Sequence, residues 1–151
     1  GRPINGDLNI EESCTYGKNG NIHFLGRKSF EEIVPYLKSC LCTLVPSEWY
    51  DNFPNVVLES YAYKKAVIAT DFGSLKYMVE DGKTGLTFKY KDIEDLRGKI
   101  TYMYEHQDDA QRMGEVAYQQ LIERYAPHVH YEKLMDLFNR IISQQLCQKR
   151  N

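Results

Sequence analysis

The chain lacks several things, and each absence narrows its class. No apolar run approaches the roughly 20 residues that a membrane-spanning helix needs. The first residues show no secretory-signal order of charged, apolar and small residues. The four cysteines, Cys14, Cys40, Cys42 and Cys147, form no metal-binding pattern. Cys40-x-Cys42 is not a zinc spacing, and no second pair completes a site. Cys40 and Cys42 alternate in a candidate strand, which predicts reduced core thiols and a reducing cytoplasm rather than a disulfide framework. There is no internal repeat, no low-complexity tract and no interdomain linker. There is no basic patch either. The formal net charge is -2, and the 12 tyrosines are scattered rather than interleaved with lysine and arginine, so nucleic-acid stacking is unsupported.

What is present is a folded-domain composition. Hydrophobic residues make up 42% of 151 residues, enough for one domain, 1–151, with a real core. Short apolar runs alternate with helical patterns. Asn21–Gly26 is a strand candidate that contains His23. Ser29 reads as an N-cap, with Glu31 and Glu32 in the first turn of a helix to about Ser39. Leu41–Val45 is a continuous apolar strand, Pro54–Lys64 a helix, Ala66–Thr70 another strand and Ser74–Glu80 a short helix. Asp81-Gly82-Lys83-Thr84-Gly85 is turn chemistry. Leu86–Lys89 is the last strand, and Asp92 caps a helix to about Glu105. Helices over 108–125 and 127–146 follow, and 7–16 offers one more. In the last helix Tyr131, Leu134, Leu137, Phe138, Ile141 and Ile142 form an i, i+3, i+4, i+7 stripe, which predicts core packing. His128 and His130 are two apart on that helix, so their rings point to different faces and make a poor metal pair.

This alternation predicts an α/β fold: a Rossmann-like parallel sheet flanked by helices, with a helical C-terminus. Ligands of such sheets bind at the carboxyl ends of the strands. Asp51, Gly26-Arg27 and Asp71-Phe72-Gly73 each follow a predicted strand and are expected to share that edge.

The segment from Pro46 to Thr70 is the most informative. Glu59 is a lone carboxylate in a helix whose neighbours are Val56, Val57, Leu58, Tyr61 and Ala62. It either pairs with a surface lysine such as Lys64 or Lys65, or it holds a ligand. Pro54 sits where a first helical residue belongs, since its missing N–H would be unpaired there anyway. The amides of Asn55 and Val56 are then free donors at the positive end of a helix, suited to phosphate. Asp51 lies just before, as a ligand group or as an ordinary loop or capping acid. Two acids beside a helix N-terminus suit a diphosphate that carries hydroxyl-rich sugars.

At these residues the sequence resembles the C-terminal domain of a retaining GT-B glycosyltransferase of glycosyltransferase family 4. The family carries a PS pair, a loop, an E-x(7)-E pair and an A-x-G-x-P-V-I-A-T-D-x-G-G run. The matching residues are Pro46-Ser47, Asp51, Phe53-Pro54, Glu59, Ala62, Ala66-Val67-Ile68-Ala69-Thr70-Asp71 and Gly73. Val79-Glu80-Asp81-Gly82 and Thr84-Gly85-Leu86 fit its V-x-D-G-x-T-G-L segment, and Phe24-Leu25-Gly26 its F-L-G element.

The resemblance implies a domain that binds a UDP- or GDP-hexose, with no cofactor and no metal. Glu59 accepts from both ribose hydroxyls and Asp51 meets the donor sugar. Pro54, Asn55 and Val56 lie at the diphosphate, Gly26 and Arg27 near the base or phosphates, and Gly73 at a close backbone approach. It also implies an N-terminal domain that binds a glycan, lipid-linked or small-molecule acceptor. Neither that domain nor the family's first strand is visible, so 1–151 reads as a fragment, inactive alone. The full protein would be cytoplasmic, meeting the inner face of a membrane only through the absent half.

The chain departs from the family at four places. Asp51 stands for Glu, Ser74 for the second glycine and Tyr77 for a frequent Glu, and Lys64-Lys65-Ala66 replaces Gly-x-Pro. Three other readings remain open: a nucleotide-sugar epimerase of the same architecture, a phosphate-sensing receiver-like domain, and a catalytically inactive nucleotide-binding module.

Overall fold

The computed structural model describes residues 22, 23 and 25–148. The expected helix over 7–16 and Cys14, Asn21 and Phe24 lie outside them. The chain divides into two compact units, Gly1–Pro35 and Tyr36–Asn151.

In the first unit, residues 22, 23, 25 and 26 have no regular structure, so the expected strand over Asn21–Gly26 does not form among the described residues. The predicted cap does form. The Ser29 amide donates to Glu32 Oε2 at 2.9 Å, and the Glu32 amide donates to Ser29 Oγ at 3.4 Å. This reciprocal capping box satisfies two helix-start donors. It opens helix α1, Phe30–Ser39.

The second unit is built on a parallel sheet of three strands in sequence order: β1 Cys42–Val45, β2 Ala66–Thr70 and β3 Gly85–Phe88. Cys42 stands opposite Ala66, and Val67 opposite Gly85. β2 is buried throughout. Its period of two sends Val67 and Ala69 to one apolar cluster and Ala66 and Ile68 to the other. That explains its unbroken apolar run: the middle strand of a covered parallel sheet has no solvent face. Gly85 is required where β3 lies against β2, because a Cβ there would fall on the Val67 carbonyl. Cys40 precedes β1 and Cys42 opens it; both are free thiols, pushed up in pKa by burial.

Helix α2, Asn55–Ala62, joins β1 to β2 and buries Val57, Ser60 and Tyr61. Helix α3, Leu75–Met78, is shorter than the expected 74–80 and precedes β3. A buried polar network locks this side. The Tyr61 hydroxyl lies 2.9 Å from both the Met78 carbonyl and Thr84 Oγ1, and Thr84 Oγ1 accepts from the Glu80 amide at 2.9 Å. Tyr61 has one proton to give, so it donates to Met78 and accepts from the Thr84 hydroxyl. Burial pushes the Tyr61 phenol up to about 12.

Asp92 accepts from the Asp95 amide at 3.0 Å and caps α4, Ile93–Glu105, as its sequence predicts. Helix α5, Gln107–Gln120, does not continue to 125; it widens into a π-helical turn, Leu121–Tyr125. Helix α6 then runs Pro127–Gln148. The core-packing expectation for α6 fails here. Tyr131, Leu134, Leu137, Phe138, Ile141 and Ile142 are all exposed. A periodic stripe marks an apolar face but does not supply the surface that covers it.

Candidate functional site

Three loops leave the carboxyl ends of the strands: 46–54 after β1, 71–74 after β2 and 89–92 after β3. The first two meet. Ser74 occupies the N-cap position of α3, yet its hydroxyl does not cap that helix. It donates instead to the Asp51 carbonyl at 2.5 Å. Gly73 has φ +60°, a left-handed conformation that favours glycine. A Cβ on it would lie 3.5 Å from Tyr50 Cδ1, so the Tyr50 ring rests close against this backbone. The Asp51 carboxylate accepts from Ser47 Oγ at 3.1 Å. It does not cap α2, whose N-cap is Pro54 with no side-chain bond. Of the alternatives for Asp51, a cap is therefore removed.

Pro54 is extended, φ -70° and ψ 109°, and delivers the chain into α2. The Asn55 and Val56 amides have no intrahelical acceptor by position, and no other partner exists for them among the described residues. Both residues are exposed. Glu59 is half-buried on the same helix and makes no hydrogen bond or ion pair among the described residues. The competing explanation, a pair with Lys64 or Lys65, fails among the described residues: Lys64 binds Glu115 instead, at 2.9 Å, and Lys65 forms no ion pair there. Thus α2 carries free donors at its start and a free carboxylate one turn on.

Phe53 packs edge-on against Tyr125 of the π-helical turn, ring centres 5.5 Å apart. The neighbouring Arg124 binds Glu80 at 2.8 Å. Lys83 and then Arg124 hold the Glu80 carboxyl below its ordinary range. Tyr77, where the resemblance expects an acid, is exposed beneath the Lys76 ammonium.

Gly26 and Arg27 belong to the other compact unit, and Gly26 has φ +65°. The strand expected to carry them, Asn21–Gly26, does not form among the described residues. A cavity of about 110 Å³ opens at the same sheet edge, lined by Pro46, Glu48, Thr70, Tyr90, Lys91 and others, but not by Asp51 or Glu59. Sequence reasoning missed an aromatic run here. Tyr50 and Phe72 have ring centres 4.4 Å apart, and Phe72 stacks on Tyr90 at 4.6 Å. No group of three or more histidine, cysteine or acidic side chains that could hold a metal occurs among the described residues, His128 and His130 included.

Residues 9–120 match the sequence signature of glycosyl transferases group 1. The chain belongs to that family. Among its relatives is an uncharacterized glycosyltransferase of Methanocaldococcus jannaschii, 34% identical over 106 residues, covering 70% of this chain and 30% of the relative. Another is an α-1,3-N-acetylgalactosaminyltransferase of Campylobacter jejuni that acts on N,N'-diacetylbacillosaminyl-diphospho-undecaprenol. It is 28% identical and covers 86% of this chain and 34% of the relative. This chain thus spans about a third of each. A glycosyltransferase from Rickettsia africae superposes with TM-score 0.75 at 23% identity, covering 89% of this chain and 36% of that one. Anabaena HepE in complex with UDP superposes with TM-score 0.73 at 18% identity, covering 82% and 34%. The fold is therefore that of GT-B glycosyltransferases, and this glycosyltransferase domain carries its free carboxylate and free amides on one short helix. No helix among the described residues is long and apolar enough to cross a membrane.

Proposed function

We propose that this domain holds the nucleoside-diphosphate sugar of a retaining hexosyl transfer, and that α2 is its donor-binding element. One observation carries the reading: among the described residues, Glu59 is a half-buried carboxylate without a partner, on a helix whose first amides are also without partners. A buried or half-buried charge that nothing in its own chain satisfies is costly to keep. A ribose offers two adjacent hydroxyl donors to a two-oxygen acceptor. The diphosphate takes the Asn55 and Val56 amides at the positive end of the helix. These donors count most as the glycosidic bond to the phosphate oxygen breaks and negative charge gathers on the leaving diphosphate. Asp51 accepts from a hydroxyl of the hexose, and Gly73 keeps the backbone beside it free of a side chain. The acceptor, a glycan, a lipid-linked sugar or a small molecule, is held largely outside this chain. The reading needs no metal and no cofactor.

UDP is the first nucleotide to test, because HepE, a neighbour in fold, has been solved with UDP and with UDP-glucose. GDP is the other candidate. The experiment is a calorimetric titration with UDP, GDP and ADP and with their hexose conjugates. Binding of one nucleotide in preference to the others, tightened or altered by its sugar, supports the reading. Equal weak binding of all three removes it.

A further inference from the structure

The donor reading leaves the cavity at the carboxyl edge of the sheet unused. That cavity lies on the sheet face away from α2. Its walls Phe88 and Leu96 pack with Met103 in one apolar cluster, whereas Val57 and Tyr61 of α2 belong to the other. Thr70 ends β2 opposite Phe88 and, two residues after Ile68, projects to the same face as Ile68. It is 2% exposed, lines the cavity and makes no side-chain hydrogen bond among the described residues. No fully enclosed side-chain oxygen or nitrogen among them lacks a partner, so the Thr70 hydroxyl reaches open space, and the cavity is the space it lines. A buried hydroxyl unsatisfied within its own chain calls for a partner from outside. The mouth of the cavity is charged. Glu48 makes no hydrogen bond or ion pair among the described residues, Lys91 holds its ammonium 5.1 Å from the Tyr90 ring centre, and Asp92 is committed to capping α4. Ile93 stands beside them, 76% exposed.

We propose that this cavity takes the acetamido group of an N-acetylated sugar on the acceptor side of the reaction. Size decides first. Whole small ligands occupy about 300–1,000 Å³. At about 110 Å³ the cavity admits one appended group. Charge decides next. Glu48 and Asp92 oppose an anion and Lys91 opposes a cation, so the group is neutral. It must accept from the Thr70 hydroxyl, donate to Glu48 and cover an apolar wall. An acetamido group does all three: its carbonyl oxygen accepts from Thr70, its methyl rests on Phe88 and Leu96, and its N–H, nearest the sugar, donates to the Glu48 carboxylate at the mouth. A hydroxymethyl group would satisfy Thr70 and leave the apolar wall bare. An acetyl ester would cover the wall and leave Glu48 without a donor. Asp51 does not line this cavity, so the sugar held here is not the hexose of the donor. The acceptor assignment rests on the proposed glycosyl transfer; the seating of the acetamido group does not.

The test is saturation-transfer NMR on the chain with N-acetylglucosamine, N-acetylgalactosamine, glucose and N-acetylglycinamide at millimolar concentrations, with and without UDP. The expected result is saturation strongest at the acetyl methyl of at least one N-acetylated sugar, weaker for glucose and unchanged by UDP. Thr70→Val keeps the size of the side chain and removes its hydroxyl; it should weaken the binding roughly fivefold or more. Ile93→Trp, at an exposed position, closes the mouth without touching the core and should abolish the methyl signal. Five results overturn the proposal: no methyl saturation, equal saturation of glucose, displacement of the sugar by UDP, indifference to both substitutions, or N-acetylglycinamide binding as tightly as the sugars, which would assign the cavity to a peptide. Calorimetry with UDP on the same samples separates the two readings. Loss of UDP binding with the methyl contact intact removes the donor assignment and leaves the cavity assignment standing.

Discussion

The Ser74 hydroxyl donates to the Asp51 carbonyl at 2.5 Å, tying the loop after β1 to the turn after β2. The resemblance places a glycine at this position. A glycine would leave the Asp51 loop held by fewer bonds; on the proposed donor reading, the serine positions a carboxylate one methylene shorter than the glutamate the resemblance expects. Ser47 fixes the carboxylate itself at 3.1 Å.

Ser74→Gly should therefore loosen Asp51 without disturbing α2. A hydrogen bond of this kind contributes about 1 kcal/mol, so affinity for the UDP-hexose should fall roughly fivefold. Affinity for UDP alone should not change. Parallel calorimetry with the two ligands measures the difference, and an equal loss for both would place Ser74 in general stability.

Asp51→Ala should remove the gain in affinity that the hexose adds to UDP, and Asp51→Glu should keep or raise it. If Asp51→Ala binds UDP-hexose as the parent does, Asp51 is only a loop acid. The comparison is read as the ratio of the two dissociation constants, which cancels any shared effect on folding.

Tyr61 makes the pH dependence specific. Its folded pKa, about 12, lies above the ordinary value of 10.0, so the folded state holds the phenolic proton more tightly than the unfolded chain. Its contribution is full below pH 10 and is lost as the pH rises through 12. The loss is roughly 2–3 kcal/mol over that window. Tyr61→Phe should cost about 1–2 kcal/mol at neutral pH. It should also shrink the alkaline loss, because Gln120 still donates to the Met78 carbonyl and Glu80 to Thr84. Urea unfolding at several pH values checks both effects.

The apolar stripe of α6 and the core methionines should respond oppositely to mutation. Met113, buried against the sheet, should cost about 2–5 kcal/mol as Met113→Ala. Phe138→Ser, on the exposed face of α6, should cost about 0.5 kcal/mol or less. Denaturant midpoints of the two variants give the comparison directly.

These contrasts show where the sequence was legible. β2 was readable to the residue because an unbroken apolar run bounded by Lys65 and Asp71 has one solution in a covered parallel sheet. The Asp92 cap and α4 were readable because capping is local chemistry. The stripe of α6 misled because periodicity reports a face and not its partner. Isoleucine, histidine and leucine at 22–25 suggested a strand, but pairing is a property of neighbours that local sequence does not contain. Glu59 stood out in the sequence as an acid among apolar residues; its lack of a partner needed the pairing of Lys64 with Glu115, residues far apart in the chain. Tyr50, Phe72 and Tyr90 were ordinary tyrosines and a phenylalanine until three loops met.

The most direct test is calorimetric titration of UDP into Glu59→Gln beside the parent chain, with thermal unfolding of both. The amide keeps the size of the side chain and removes the charge that accepts from the ribose hydroxyls. A charged hydrogen-bond acceptor contributes about 1.5–3 kcal/mol, so UDP affinity should fall roughly 10- to 100-fold. The melting temperature should hold or rise, since the lost charge has no partner among the described residues. Unchanged UDP affinity, or a loss of stability as large as the loss of binding, would contradict the assignment of Glu59 to the nucleotide.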